Sequence, residues 1–134
     1  MKVLLISLSL ICLSFAALNI PDHLRAPVRL MRQACLAESN VDEKYINQSR
    51  NGFIPDVPEL RCYILCLFEH SGMMEDDGTI HFEQVMHLLS PGVAETATFV
   101  SNECKTIHGD TRCDTAYLTM KCFFEKAPED SELP

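Results

Sequence analysis

The stretch from Arg61 to His70 reads RCYILCLFEH and contains two cysteines four residues apart. Residues at this spacing lie on the same face of an α-helix, and the surrounding apolar pattern predicts a helix from about Pro58 to His70. A disulfide between Cys62 and Cys66 would conflict with helical geometry, so each is expected to reach a different neighbouring helix. The stretch therefore predicts a helical protein that is cross-linked by disulfides.

Five further segments show the apolar spacing of helices, which predicts one all-α domain of six helices. No segment alternates convincingly between apolar and polar residues as a half-buried strand does. Asn40 and Glu43 have the spacing of a capping box that begins the second helix. The acidic tail from Lys126 to Pro134 is predicted to be non-helical. The first helix ends near residue 40, and the others run over about 40–49, 82–89, 93–108 and 110–125.

The beginning of the chain has the pattern of a secretory signal peptide: a positive charge, an apolar run and small residues at Ala16 and Ala17. We predict a signal peptide over residues 1–16 and a mature domain over 17–134. Charged residues interrupt every later apolar run, so no membrane-spanning helix is expected. The formal net charge of −8 opposes binding to nucleic acid or to an anionic membrane.

Removal of the signal peptide takes away Cys12 and leaves six cysteines, an even number that predicts three disulfides in a secreted domain. Cys113 and Cys122 are nine residues apart and therefore point to roughly opposite sides of the sixth helix. They too are expected to pair with different partners. These exclusions reduce the fifteen possible pairings of six cysteines but do not select one.

The six mature cysteines are separated by 26, 3, 37, 8 and 8 residues. This spacing resembles that of the insect odorant-binding proteins, in their six-cysteine pheromone-binding and general odorant-binding branch, over essentially the whole mature chain. The resemblance implies that the first cysteine pairs with the third, the second with the fifth and the fourth with the sixth. The implied disulfides are Cys35–Cys66, Cys62–Cys113 and Cys104–Cys122.

The resemblance also implies that the helices converge on an apolar cavity, although each apolar residue taken singly is better explained as a core residue. In short-tailed relatives the tail folds over the cavity, which makes Leu133 a candidate contact. Tyr117 is the candidate hydrogen-bonding residue, and the alternative is that its hydroxyl bonds to the backbone. The other candidate ligand-binding residues are Met73, Met74, Phe82, Val85, Met86, Leu89, Ala97, Val100, Met120 and Phe123.

Neither enzyme activity nor a cofactor nor a metal is expected. The common hydrolase, metalloprotease and P-loop motifs are absent, and cysteines in disulfides cannot act as nucleophiles. The acidic segment around Gly78 is similar to the middle of a calcium-binding loop, but Met73 and Gln84 replace its first and last carboxylates. His81 and His87 are predicted to be solvated. Asn47 begins a weak glycosylation sequon.

Together these features predict a secreted carrier of hydrophobic small molecules. The resemblance implies odorants or pheromones as ligands, the sensillum lymph as the location and an olfactory receptor as a further partner. The sequence leaves open whether the protein forms a homodimer. One alternative is a carrier in reproductive, salivary or venom secretions. Another is a secreted helical signalling protein with a filled core.

Binding is also expected to weaken on mild acidification, because histidine changes its charge between pH 5 and 8. The acidic tail is expected to be held over the cavity by ion pairs with basic residues such as Lys121 or Lys126. Protonation of the tail carboxylates would then loosen it.

Overall fold

The computed structural model describes residues 22–88 and 91–134. Within these ranges the protein is all-α, as predicted. The described residues form a few isolated β-bridges but no strand. No helix in the described ranges is long and apolar enough to cross a membrane. The predicted signal peptide lies outside them. The helices are α1 (Asp22–Ser39), α2 (Glu43–Gln48), α3 (Pro58–His70), α4 (Glu83–Met86), α5 (Pro91–Glu103) and α6 (Arg112–Lys126), followed by a 3-10 turn (Pro128–Asp130).

Helix α3 lies at the centre of the molecule, where it packs most extensively against α6 and next against α1. Its apolar residues are distributed over more than one face, and Leu60, Tyr63, Ile64 and Phe68 are completely buried. Burial of each such side chain stabilises the fold by about 1.5–3 kcal/mol. The contacts of α5 with α4 and α6 are much sparser. The fold therefore combines a firmly packed α1–α3–α6 core with a lightly attached α4–α5 region.

Three disulfides reinforce this arrangement, and their pairing is the one that the family resemblance implies. Cys35–Cys66 joins α1 to α3, and Cys62–Cys113 joins α3 to α6. Cys104–Cys122 joins the end of α5 to α6. They connect residues 31, 51 and 18 positions apart in sequence. Cross-links over such distances stabilise a fold by about 2–4 kcal/mol each, chiefly by restricting the unfolded chain.

Helix α5 ends at Glu103, so the prediction that it continues to about residue 108 was wrong. The apolar spacing does extend to Ile107, but that side chain is 40% exposed. Threonine hydroxyls on α6 accept hydrogen bonds from backbone amides of the segment after Glu103, and these bonds compete with continuation of the helix. The amide of Ile107 donates to the Thr119 hydroxyl at 3.0 Å, and the amide of Gly109 donates to the Thr115 hydroxyl at 3.0 Å.

Helix α1 ends at Ser39, as predicted, whereas the N-cap of α2 and the length of α4 differ from the sequence prediction. The N-cap of α2 is Asp42, whose carboxylate accepts from the Lys44 amide at 3.0 Å, and not Asn40. Asn40 instead closes α1 in the left-handed conformation, with φ of 58°. Helix α4 has only four residues, and no side chain caps its start. The tail, predicted to be non-helical, begins with a 3-10 turn.

Candidate ligand-binding site

Phe82 lies at the centre of the apolar side chains that α3, α4 and α6 bring together. Its ring contacts that of Phe68 edge-on, with centroids 5.9 Å apart, and that of Phe123 at 5.6 Å. Phe82 is 8% exposed and Phe68 is fully buried. The aromatic contacts place the loop before α4 directly against the core helices, and such pairs add about 0.5–1.5 kcal/mol to simple burial.

Half-buried methionines pack against the apolar core cluster to which Phe82 belongs. Met73 and Met74 follow α3, Met86 lies on α4 and Met120 on α6, and all four pack against the same buried cluster. We call these four methionines together with Phe82 and Phe123 the methionine cluster. Thioether side chains are flexible and polarizable, so they can adapt to differently shaped apolar partners. These sequence candidates thus all pack against the same apolar core cluster.

Five of the described sequence candidates do not belong to the methionine cluster: Val85, Ala97, Val100, Tyr117 and Leu133. Val100 belongs to a second, smaller cluster with Cys104 and Ala127, against which Phe123 also packs. Ala97 is buried on α5, and Val85 is half-buried on α4. Leu89 lies outside the described residues. Phe123 therefore connects the two apolar clusters.

The Tyr117 hydroxyl is engaged with the backbone, which is the alternative that the sequence left open. It donates to the carbonyl oxygen of Ile54 at 3.3 Å. The guanidinium of Arg61 lies 4.3 Å from the ring centroid. Arg61 is itself fixed by both carboxylate oxygens of Asp56, at 2.7 and 2.9 Å, and by Asp114 at 2.8 Å. Burial raises the pKa of Tyr117, so its hydroxyl stays protonated in this structure.

The tail packs against the core and buries Leu133, which is 3% exposed and part of the main apolar cluster. The Leu133 amide donates to the Ser49 carbonyl at 3.4 Å, and the Gly52 amide donates to the Ser131 hydroxyl at 3.0 Å. Gly52 has φ of +86°, and an added Cβ would lie 2.9 Å from Pro128, so the close approach of the tail requires glycine here.

Two further contacts fix the end of the tail. The buried Tyr63 hydroxyl donates to the backbone oxygen of Pro134 at 2.6 Å, and burial raises the pKa of Tyr63 to about 12. Glu132 lies 3.9 Å from Arg50. Glu132 is thus paired with Arg50, and not with Lys121 or Lys126, the partners that the sequence suggested for the tail. The partner comes from the α2–α3 loop, which sequence spacing does not bring near the tail.

A family model described as the PBP/GOBP family matches residues 18–126 of this six-cysteine helical chain. The chain belongs to the PBP/GOBP family. This PBP/GOBP protein is a carrier of hydrophobic small molecules and not an enzyme, in agreement with the sequence prediction.

Relatives of this PBP/GOBP protein occur in several insects. General odorant-binding protein 69a of Drosophila melanogaster is 31% identical over 97 residues, which cover 72% of this chain and 66% of that protein, just under two thirds of its length. The structure of odorant-binding protein 7 of Anopheles gambiae, in complex with an azo compound, is 30% identical with a TM-score of 0.71, covering 79% of this chain and 87% of that one. The fatty acid binding protein OBP56a from the oral disk of the blowfly Phormia regina is 25% identical with a TM-score of 0.65, covering 83% and 97%.

His81 links the loop before α4 to α4 itself in this PBP/GOBP protein. Its Nδ1 lies 2.9 Å from Glu83, and its Nε2 lies 3.3 Å from Glu75. The hydrogen bond with Glu83, followed by the one with Glu75, raises the pKa of His81 despite partial desolvation. His81 thus keeps contact with solvent, with a side chain 31% exposed, but it is also held by two carboxylates, whereas His87 is simply exposed.

The acidic segment around Gly78 is a closed turn. The Thr79 amide donates to the Asp77 carboxylate at 2.9 Å, and the Glu75 amide donates to the Thr79 carbonyl at 2.9 Å. Arg112 donates to the carbonyls of Glu75 and Asp76, each at 3.1 Å. These backbone and carboxylate oxygens thus accept hydrogen bonds from within the protein. In a calcium-binding loop the corresponding oxygens would coordinate the ion.

Cys35, Cys66 and His70 form the one group of neighbouring metal-ligand atoms within the described residues. Its two sulfurs are bonded to each other, so no thiolate is present to hold a metal. Asn47 is exposed on α2, and its glycosylation stays a prediction.

Proposed function

We propose that this protein takes up hydrophobic odorants or pheromones in the extracellular sensillum lymph and delivers them to olfactory receptors. The relatives support uptake of small molecules, since one is solved with an azo compound and another is described as a fatty acid binding protein. The signal-peptide pattern supports an extracellular location.

The observation that carries the proposal is the methionine cluster itself. In a rigid core one expects fully buried side chains in fixed contacts, whereas Met73, Met74, Met86 and Met120 pack against the core cluster and stay partly exposed. Four flexible thioethers beside two aromatic rings form an apolar surface that can repack around a guest. The candidate residues named from the sequence in this region are therefore proposed as ligand contacts.

Entry of a ligand requires the α4–α5 region to move, because the rings of Phe68, Phe82 and Phe123 contact one another. That region is the part of the described chain best suited to move. Helix α4 is a single turn, and α5 is fastened to α6 mainly by the Cys104–Cys122 disulfide at its C-terminal end. Few buried contacts imply a low free energy of local opening.

Elementary energetics favour reversible binding. Burial of a ligand with about twelve carbons yields roughly 10 kcal/mol at about 0.8 kcal/mol per methylene. Association costs at least about 4 kcal/mol, which leaves about 6 kcal/mol and a Kd of tens of micromolar. One or two hydrogen bonds bring the Kd to about the micromolar range. A carrier that must later release its ligand needs an affinity of this order.

Native mass spectrometry of the secreted, purified protein tests the carrier proposal. We expect a fraction of the molecules to retain a small apolar compound, and added odorant-like esters or alcohols to give one-to-one complexes. A protein that stays bare at high ligand concentration contradicts the proposal and favours the signalling alternative. Delivery is tested with cells that express an olfactory receptor, where the loaded protein should raise the response to a poorly soluble odorant.

A carrier in a non-olfactory secretion is the second candidate. It is favoured by the Phormia regina relative, whose description places it in the oral disk. Localisation of the transcript distinguishes the two candidates. Expression confined to olfactory sensilla supports the first, and expression confined to glands or mouthparts supports the second.

A further inference from the structure

A depression with a volume of about 280 Å³ lies between residues 79–83 and 101–106. Its buried lining residues are apolar: Ile80, Phe82 and Cys104, which are 7%, 8% and 2% exposed. Phe82 also contacts Phe123, with ring centroids 5.6 Å apart. The pocket and the methionine cluster therefore share Phe82.

Most polar groups around this pocket are already bonded within the protein. The hydroxyl of Thr106 accepts from the Ile80 amide at 2.9 Å, and the hydroxyl of Ser101 donates to the Thr98 carbonyl at 2.9 Å. The carboxylate of Glu83 accepts from His81 at 2.9 Å, which compensates its negative charge when His81 is protonated. These groups have little capacity left for a ligand.

Two polar side chains at the rim remain available. The side chains of Asn102 and Lys105 both line the pocket and make no hydrogen bond or ion pair with any residue in the described ranges. An ammonium and a carboxamide NH₂ are both hydrogen-bond donors, and the ammonium also carries a positive charge. This pair of groups matches a carboxylate better than it matches a neutral hydroxyl.

We propose that this pocket binds the carboxylate headgroup of amphipathic ligands, with Lys105 and Asn102 as its donors and the hydrocarbon chain passing Phe82 into the methionine cluster. The volume supports this division, because 280 Å³ lies just below the range of about 300–1,000 Å³ that holds whole small-molecule ligands. The pocket has room for a headgroup and its first carbons. The inference rests on the proposed carrier function and assigns a ligand class to it.

Competition between matched ligands tests the inference. The protein is loaded with the fluorescent apolar probe N-phenyl-1-naphthylamine near neutral pH and low salt, and decanoic acid or decan-1-ol is added as competitor. We expect the acid to bind more tightly than the alcohol. Lys105→Gln should weaken acid binding by about threefold to fivefold, as for an exposed ion pair, and leave alcohol binding unchanged. Lys105→Arg should retain the preference for the acid.

Lys126→Gln is the matched control, because it removes the same charge from an exposed position that does not line the pocket. It should leave both affinities unchanged. Equal binding of acid and alcohol by the unaltered protein, or an equal loss of both in Lys105→Gln, overturns the headgroup site while probe displacement still supports a carrier. Failure of the probe to bind at all overturns the carrier proposal and this inference with it.

Discussion

Tyr63 shows how much a single buried hydroxyl contributes to the placement of the tail. It is fully buried at the centre of α3, and its hydroxyl donates to the backbone oxygen of Pro134, 71 residues later in the chain. The raised pKa of about 12 keeps it protonated, so the bond persists at every physiological pH. This is the one hydrogen bond that joins the middle of the central helix to the end of the described chain.

Tyr63→Phe should lower the free energy of unfolding by about 0.5–1.5 kcal/mol, because the substitution removes one hydrogen bond while the ring remains. Chemical denaturation followed by circular dichroism measures this value. Tyr45→Phe is the control, since Tyr45 is half-buried and its hydroxyl makes no hydrogen bond within the described residues. Equal stability of both variants and the unaltered protein contradicts the role assigned to Tyr63.

His81 makes the stability of the α4–α5 region depend on pH, whereas the expected loss of ligand affinity on acidification stays a prediction. Its folded-state pKa lies above the ordinary value of 6.5, so its ion pairs with Glu83 and Glu75 stabilise the folded protein below that value and lose this effect as the pH rises through the raised pKa. The hydrogen bond of Glu83 with its own backbone amide, followed by the one with His81, lowers the pKa of Glu83. The His81–Glu83 pair therefore persists in mild acid.

His81→Asn should destabilise the protein at pH 5.5 and have a much smaller effect at pH 8. Urea denaturation of the variant and the unaltered protein at both pH values provides the comparison. His87→Asn, at an exposed position, serves as the control and should show no such difference. A larger effect of His81→Asn at pH 8 than at pH 5.5 would refute the ion-pair explanation.

At the scale of elements, the sequence predicted helices well where apolar spacing and tertiary structure agree. Helix α3 begins at Pro58, which occupies its first helical position. Helix α6 begins after Thr111, whose hydroxyl accepts from the Asp114 amide at 3.1 Å. The end of α5 was missed because the apolar pattern continues beyond Glu103, while the competing acceptors lie on another helix. Local patterns carry no information about such long-range hydrogen bonds.

The candidate site was predictable to a similar extent. The methionines and Phe82 follow from apolar spacing and from the family resemblance, and the structure brings them together. The rim residues Asn102 and Lys105 gave no signal, because they are polar residues near the end of a predicted helix. Their significance depends on the pocket beside Phe82, which arises only when two distant segments of the chain meet.

The tail acts as a separate element that closes one side of the core. Truncation after Ala127 should keep the helical content, because α1 to α6 and all three disulfides precede that point. It should lower the free energy of unfolding by about 2–4 kcal/mol, chiefly through exposure of the Leu133 site.

Urea denaturation of the truncated and full-length chains measures this loss. Leu133→Ala should reproduce much of the effect, whereas Glu132→Gln should change little because the Arg50–Glu132 pair is long and partly exposed. A truncated chain as stable as the full-length one shows that the tail does not close the core.

For the whole molecule, the disulfides keep the fold stable while the methionine cluster remains free to adapt its packing. Three cross-links tie α1, α3, α6 and the end of α5 together, so the methionine cluster does not have to be perfectly packed to keep the protein folded. A chain of this size without disulfides depends more heavily on the packing of its core for stability. The net charge of −8 keeps the molecules apart in solution. Both properties suit a carrier that must be abundant and must open to its ligand.

Titration with a fluorescent apolar probe tests most directly whether the methionine cluster takes up a ligand. The unaltered protein should bind the probe with a Kd of about micromolar order and release it to medium-chain esters or aldehydes. Met120→Glu should weaken binding at least about tenfold, because a carboxylate in the cluster must be desolvated, while helical content is retained. Leu30→Glu, at a position 64% exposed on α1, should bind as the unaltered protein does. Equal binding by Met120→Glu and Leu30→Glu would contradict the proposed site.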